Sequence, residues 1–314
     1  MEQTTTGASP AAPDPGYAPA APGEGPGGPI TAVVFNDPGC PFGYSASPAL
    51  RTLEWRYRDQ IVWHLVTIGL SDPEHPSSVT PQQLIEGCLD LRDRYGMPFA
   101  VEPKSRPFTT GRSCQAITAA RLLRPGSEWK VLRMLQLLNF NTPLLLDDDE
   151  HLRAALATIP GIDADAVVAA LDSPEVQDAY RADWSRSRTA AGGASHLQGK
   201  TADSELGPRY TAPSVIFSRE GRRLEVGGFQ TIEAYDAAVA NLDPTLNRIG
   251  PAEDPLDALR LYPAGLTTQE VAAVMAGNLE APDRAGAELA LAGLLIEDQV
   301  RRIPLGDDAL WMAA

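Results

Sequence analysis

The sequence predicts an α/β protein: a mixed sheet interrupted by a long helical insertion and followed by a small C-terminal unit of different style. Three observations predict it. Val33-Val34-Phe35 is a continuous apolar run that leads through turn residues into a helical stretch and then a second apolar run, residues 61–66. Strand, helix and strand within about thirty-five residues make a βαβ unit with a parallel pair. The periodicity then turns helical over residues 80–192, and strand patterning returns at Ser214-Val215-Ile216-Phe217 and Arg223-Leu224-Glu225-Val226.

The elements follow in order. Residues 1–28 are rich in Pro, Ala and Gly and cannot bury enough apolar area to order themselves, so a disordered tail is expected there. After the first strand, Asp37-Pro38-Gly39 is turn chemistry and Cys40 opens a helix whose stripe is Leu50, Leu53 and Tyr57. Ser47-Pro48 should kink or restart that helix, because proline removes a backbone hydrogen bond. In the insertion, expected at about residues 75–195, Val131, Met134, Leu135 and Leu138 form one stripe, and Leu152, Ala155, Leu156 and Ile159 another. Asp147-Asp148-Asp149-Glu150 and Ser173-Pro174 read as helix N-termini, the former in preference to a metal site. A turn at Glu220-Gly221 makes the two late strands a hairpin, and Thr231 caps a helix with the stripe Ile232, Tyr235, Val239 and Leu242.

Composition narrows the function. With 314 residues, 43% of them apolar, the chain can form one sizeable domain of residues 29–248 and a small one of residues 251–314. No apolar run reaches membrane-spanning length, and the first 29 residues lack Lys, Arg and any apolar signal core, so a cytoplasmic location is expected. A formal net charge of −15 repels phosphate backbones and anionic lipid, which argues against nucleic-acid and membrane partners. Three cysteines in a reducing compartment suggest free thiols.

Cys40-Pro41-Phe42-Gly43 directly after a strand resembles the active site of the DsbA-like branch of the thioredoxin superfamily. The resemblance extends over residues 31–245 and includes Thr211-Ala212-Pro213 before the third strand and the glycine turn Val226-Gly227-Gly228-Phe229-Gln230. It implies a thioredoxin-like fold with a helical insertion, a cis bond at Pro213 facing Cys40, and an Ala212 backbone free to pair with an extended substrate. The family usually has Cys-Pro-x-Cys; here Gly43 stands at the fourth position, so the attacking cysteine is kept without its usual resolving partner. Residues 251–314 resemble a small winged-helix module: helices at Leu256 and Leu259, at a capping box Thr267-Thr268-Gln269-Glu270, and at Pro282 with Leu289 and Leu291, then a hairpin up to Trp311. Eleven acidic against four basic residues there exclude DNA binding, leaving a homodimer or protein partner as the expectation.

Cys40 is the catalytic candidate. At a helix N-terminus its thiolate should form more readily than that of a free cysteine, with Pro41, Phe42, Gly43, Ala212 and Pro213 shaping the site. Phe42 offers no charge, so the depression should be moderate. Release of a mixed disulfide then requires an external thiol or another cysteine. Cys114 is the candidate resolving thiol, although a small buried core residue is its simpler reading, as it is for Cys88. Lys200 and Arg209 are candidate anion contacts beside the Pro213 loop. Gly199-Lys200-Thr201 fails as a phosphate loop, because the required glycine is Ala194. His64, His75, His151 and His196 have no metal spacing, though His196 could approach the site.

The leading expectation is a cytosolic thiol-disulfide oxidoreductase working through one cysteine, with no tightly bound cofactor and a low-molecular-weight thiol completing the cycle. One alternative is a thiol-cofactor-dependent isomerase or transferase of the hydroxychromene-carboxylate isomerase and kappa-class type, in which Gly43 makes room for the cofactor. The other is a non-catalytic scaffold that binds a protein partner through residues 251–314.

Overall fold

The computed structural model describes residues 28–75, 79–100 and 102–314; the expected tail lies outside them but for its last residue. The central strand is β1 (Ile30–Asn36), every residue of which is buried. It pairs in parallel with β2 (Ile61–Thr67), closing the expected βαβ unit through α1 (Pro41–Ser45) and α2 (Ser47–Tyr57). On its other side β1 runs antiparallel to β5 (Ser214–Arg219), which forms a hairpin with β6 (Arg222–Val226), so the sheet order is β2-β1-β5-β6. Glu220 and Gly221 both have positive φ, 50° and 74°, the turn whose twist matches a two-residue hairpin.

Helices cover both faces of this sheet. Leu50, Leu53 and Tyr57 of α2 pack with Tyr235, Val239 and Leu242 of α10 (Ile232–Leu242) over Ile30, Ala32, Val34, Val215 and Phe217. Thr231 stands at the α10 N-cap as expected, but its side chain makes no capping bond to the backbone. The helical insertion comprises α3 (Pro81–Tyr95), α4 (Gly111–Leu123), α5 (Glu128–Asn141), α6 (Asp149–Ala157), α7 (Ala164–Ala170), α8 (Pro174–Ser187) and α9 (Ala194–Leu197). Ile117, Leu135, Leu152, Leu156 and Leu171 form its own core, which reaches the sheet at Leu65. Asp148 accepts from the Glu150 and His151 amides and Ser173 caps α8, so both predicted N-termini hold. The short pair β3 (Thr201–Ala202) and β4 (Arg209–Tyr210) has no counterpart in the sequence reading, because two-residue strands leave no periodic signal.

The C-terminal unit runs α11 (Pro255–Leu261), β7 (Leu266–Thr267), α12 (Thr268–Met275), α13 (Arg284–Ile296), β8 (Val300–Leu305) and β9 (Asp308–Ala313), with sheet order β7-β9-β8. The capping box of Thr267 and Glu270 is formed. Leu291 is buried, whereas Leu289 points to solvent, 77% exposed. This unit does not stand apart. Its core of Leu259, Val271, Leu291 and Trp311 takes in Trp55 of α2, whose Nε1 donates to the Gly250 carbonyl at 2.7 Å. Fully buried Glu270 accepts from Arg133 of α5 at 2.6 and 2.7 Å and from the Ser47 hydroxyl at the start of α2.

Candidate active site

The site is assembled where β1 ends. Asp37 folds the turn: its Oδ1 accepts from the Gly39 amide at 2.8 Å and its carbonyl from the Cys40 amide at 3.2 Å. Cys40 is thereby set as the N-cap of α1, and its sulfur accepts weakly from the Gly43 amide at 3.5 Å. The helix stops after five residues and restarts at Ser47, the break expected from Pro48. Tyr44 anchors it, donating to the Pro98 carbonyl at 3.0 Å and packing between Phe99 and Phe140.

Opposite the sulfur lies the loop before β5. Ala212-Pro213 is the cis peptide bond among the described residues, as the resemblance implied. The Cys40 Sγ–H donates to the Ala212 carbonyl at 3.2 Å. The Ala212 backbone is thus not wholly free for substrate, contrary to expectation; its carbonyl already holds the thiol proton.

The expectation of a depressed Cys40 pKa fails in the resting site. Burial comes first: the residue is 8% exposed, and desolvation pushes the thiol up to about 11. The Gly43 and Phe42 amides and the Arg209 charge oppose this, while Asp37 reinforces it. Physically, a five-residue helix aligns few peptide dipoles, and the sulfur has a carbonyl rather than water as its main polar neighbour.

Asp37 is the residue the sequence reading undervalued, treating it as turn chemistry alone. It is fully buried beneath the turn, with Oδ2 accepting from the Leu70 amide at 2.9 Å, the Thr110 hydroxyl at 3.1 Å and the Cys114 thiol at 3.5 Å. Burial raises its pKa against these hydrogen bonds. Cys114 is fully buried, and burial followed by the Asp37 charge holds its thiol well above the ordinary range, which suits the core reading better than a resolving role. Cys40, Cys88 and Cys114 are all free. Cys88 lies in the apolar cluster with Tyr44 and Leu91, as expected.

Gly43 has a structural reason as well. A Cβ there would stand 2.2 Å from Asn36 Oδ1, which accepts from the Asp37 amide at 2.8 Å and from Gln136 Nε2 at 3.3 Å. The side-chain amide of Asn36 fills the place of a fourth-position side chain.

Of the two candidate anion contacts, Arg209 interacts electrostatically with both Cys40 and Asp37, and its guanidinium donates to the Tyr210 carbonyl at 3.2 Å. Lys200 touches the site through its backbone, its carbonyl accepting from Thr211 at 3.3 Å. Arg188, not singled out from sequence, holds the Ile68 carbonyl at 2.9 Å and lies over the Trp184 ring. His196 does not approach the sulfur; its Nδ1 accepts from the Gly192 amide at 3.0 Å within its own loop. Among the described residues no group of three or more His, Cys, Asp or Glu is placed to hold a metal.

Beside the cysteine turn an apolar cleft of about 540 Å³ opens between Pro41, Phe42, Leu70, Leu84 and Phe108. Lys104 also lines it, with Nζ donating to the Asn139, Thr142 and Leu144 carbonyls at 2.6–2.8 Å. Burial lowers its pKa to about 8. Phe42, 47% exposed, meets Phe229 edge-on, and Tyr95 backs Phe229, so an aromatic rim flanks the sulfur.

Comparison with known proteins places this geometry. A family model described as the DSBA-like thioredoxin domain matches residues 31–190. Among solved structures, the chain is similar to a candidate protein disulfide isomerase from Nitrosomonas europaea, at 15% identity and a TM-score of 0.52 over 69% of this chain and 97% of that one. It is also similar to a probable DsbA oxidoreductase from Streptomyces coelicolor, at 17% identity and a TM-score of 0.50 over 72% and 94% of the two chains. At these identities the likeness is one of fold. No match was found among curated proteins.

Proposed function

We propose that this chain, which belongs to the DSBA-like thioredoxin domain family, is a cytosolic thiol-disulfide oxidoreductase that works through one cysteine, Cys40. The observation that carries the reading is the sulfur at the α1 N-cap, 3.2 Å from the carbonyl that precedes cis Pro213, with Asn36 where a second sulfur would need room.

In the proposed cycle Cys40 Sγ attacks a disulfide RS–SR′. The S–S bond breaks, a Cys40–S–SR bond forms, and the thiol proton leaves with R′SH. A small thiol R″SH then attacks the adduct, forming RS–SR″ and returning the proton to Cys40. A substrate strand lying beside Pro213 would offer its own N–H to the Ala212 carbonyl and so release the thiol that this carbonyl holds. A thiol that ionises reluctantly is a poor leaving group, so its mixed disulfide persists and the site is poised as a reductant rather than an oxidant. Three free, buried cysteines are consistent with a reducing compartment. No helix among the described residues is long and apolar enough to cross a membrane.

The helix and strand order of residues 251–314 supports a winged-helix-like module, and its acidic balance speaks against nucleic acid.

The test is reduction of a small mixed disulfide in the presence of excess low-molecular-weight thiol. Cys40→Ser is expected to abolish turnover and the mass of the thiol adduct. Unchanged turnover in that variant refutes the mechanism. One observation, the shielding of the sulfur, favours the scaffold reading instead; a wild-type chain that forms no adduct at any pH would establish that reading.

A further inference from the structure

One carboxylate on the edge of the sheet is tied into the site without touching the sulfur. Glu225 of β6 stands opposite Ile216 of β5, so its side chain shares the sheet face on which Phe35, Cys40, Tyr210 and Ala212 cluster with Ile216. The Glu225 side chain is 8% exposed. Its Oε2 accepts from the Ser195 amide in α9 at 2.9 Å, and its Oε1 from the Tyr210 hydroxyl at 3.1 Å and Arg223 Nη2 at 2.8 Å. Gly193 makes the room, since a Cβ there would stand 2.9 and 3.0 Å from the two carboxylate oxygens. A carboxylate this deep is costly unless its oxygens are paired, and here both are.

These contacts form a closed circuit. The Ser195 carbonyl accepts from the Lys200 amide at 2.8 Å, and the Lys200 carbonyl accepts from the Thr211 hydroxyl at 3.3 Å. Thr211 follows Tyr210, whose ring stacks on Phe35 of β1 at 4.3 Å and whose hydroxyl returns to Glu225. The next residue is Ala212, whose carbonyl holds the Cys40 thiol.

We propose that Glu225 is a positioning residue for the Cys40 site, holding the Ala212 carbonyl against the sulfur by closing this circuit. Without the carboxylate, the segment opposite the sulfur loses its ties to α9 and to the edge strand. The thiol then exchanges a fixed carbonyl for water, and a substrate strand meets a wall that is out of place. Ionisation becomes easier and turnover slower in a chain that is still folded. This rests on the reading of Cys40 as the reactive thiol.

The pH profile of Cys40-specific alkylation and the turnover of a small mixed disulfide test it in the full chain, each variant being held well below its unfolding temperature. Glu225→Ala is expected to lower the midpoint of the profile by about one pH unit, read as roughly tenfold faster alkylation at pH 8, and to lower kcat/KM on the order of tenfold. Glu225→Gln keeps one accepting oxygen and should fall between that variant and wild type. Tyr210→Phe keeps both the charge and the stacked ring but opens the circuit, so it should move the midpoint in the same direction. An unchanged midpoint in Glu225→Ala overturns the proposal. So does a shift in Glu225→Ala that Tyr210→Phe lacks, which marks an effect of charge alone. Leu156→Ala, a large-to-small change in the core of the insertion, is the control for lost stability; a midpoint moved as far by that variant also overturns the proposal. Wild type that turns over no mixed disulfide refutes the enzymatic reading of Cys40, while the alkylation profiles still decide the role of Glu225.

Discussion

The chemistry of single residues here turns on what surrounds one sulfur. With its thiol pushed up to about 11, Cys40 should alkylate ever faster as pH rises through the neutral and mildly alkaline range, without the early plateau of an activated cysteine. A plateau below pH 8 in a Cys40-specific iodoacetamide profile would contradict the buried resting state. Asp37→Asn removes the negative charge beneath the turn. It is expected to raise alkylation at pH 8 by about three- to tenfold. The same change should cost about 1–2 kcal/mol, because an amide offers one oxygen where Asp37 now serves the Gly39 and Leu70 amides with two. The attacking cysteine and the cis proline were legible in the sequence, since Cys-Pro after a strand and Thr-Ala-Pro before one are local patterns. Neither the depth of Asp37 nor the partner of Gly43 was legible. Both depend on Thr110 and Gln136, 73 positions from Asp37 and 100 from Asn36, and no local pattern signals them.

At the scale of elements, α1 is too short to hold itself and is fixed by what it touches. Tyr44 secures its end, and the Glu270 carboxylate grips Ser47 just beyond it. Gly43→Cys, which restores the family motif, should therefore not restore a working pair: the new Cβ meets Asn36, and the variant is expected to lose about 1–3 kcal/mol, read from urea denaturation. Asn36→Ala in the same chain should recover part of that loss. Glu270 is buried, which alone would raise its pKa, yet the Arg133 charge and hydrogen bonds hold it at about 2. Its folded pKa lies below the unfolded value, so its contribution to stability is present above about pH 4.5 and is lost as pH falls towards 2. Glu270→Gln leaves Arg133 buried without its counter-charge. It is expected to cost about 3–5 kcal/mol at neutral pH and to flatten the acid limb of the stability profile, measured by thermal unfolding between pH 2 and 7. The capping box around Glu270 could be read from the sequence, but its pairing with Arg133 could not, because a capping glutamate and a buried ion-pair partner look the same in one dimension.

At the scale of the molecule, the C-terminal unit is bound into the site-bearing domain. The outer face of α2 presents Trp55 to the C-terminal core, its Arg51 carbonyl accepts from the Tyr262 hydroxyl at 2.6 Å, and Leu305 and Leu310 join the cluster around Tyr44. A chain ended after residue 250 should therefore bare a continuous apolar face; low soluble yield and strong binding of a hydrophobic dye are expected, against a clean monomeric domain if the unit were merely appended. The sheet, the insertion and the order of the C-terminal elements were readable because each rests on periodicity or capping. Their docking was not, since Trp55 and Leu310 read as ordinary core residues whichever neighbour they bury against. The separation of partners along the chain also has a consequence for biosynthesis. Ser47 waits for Glu270, which leaves the ribosome 223 residues later, or roughly 10–45 seconds at about 5–20 residues per second. During that interval the nascent helix beside the reactive cysteine is only half clothed, so a newly made chain gains its competent thiol late in translation, and a stalled one remains a client for chaperones.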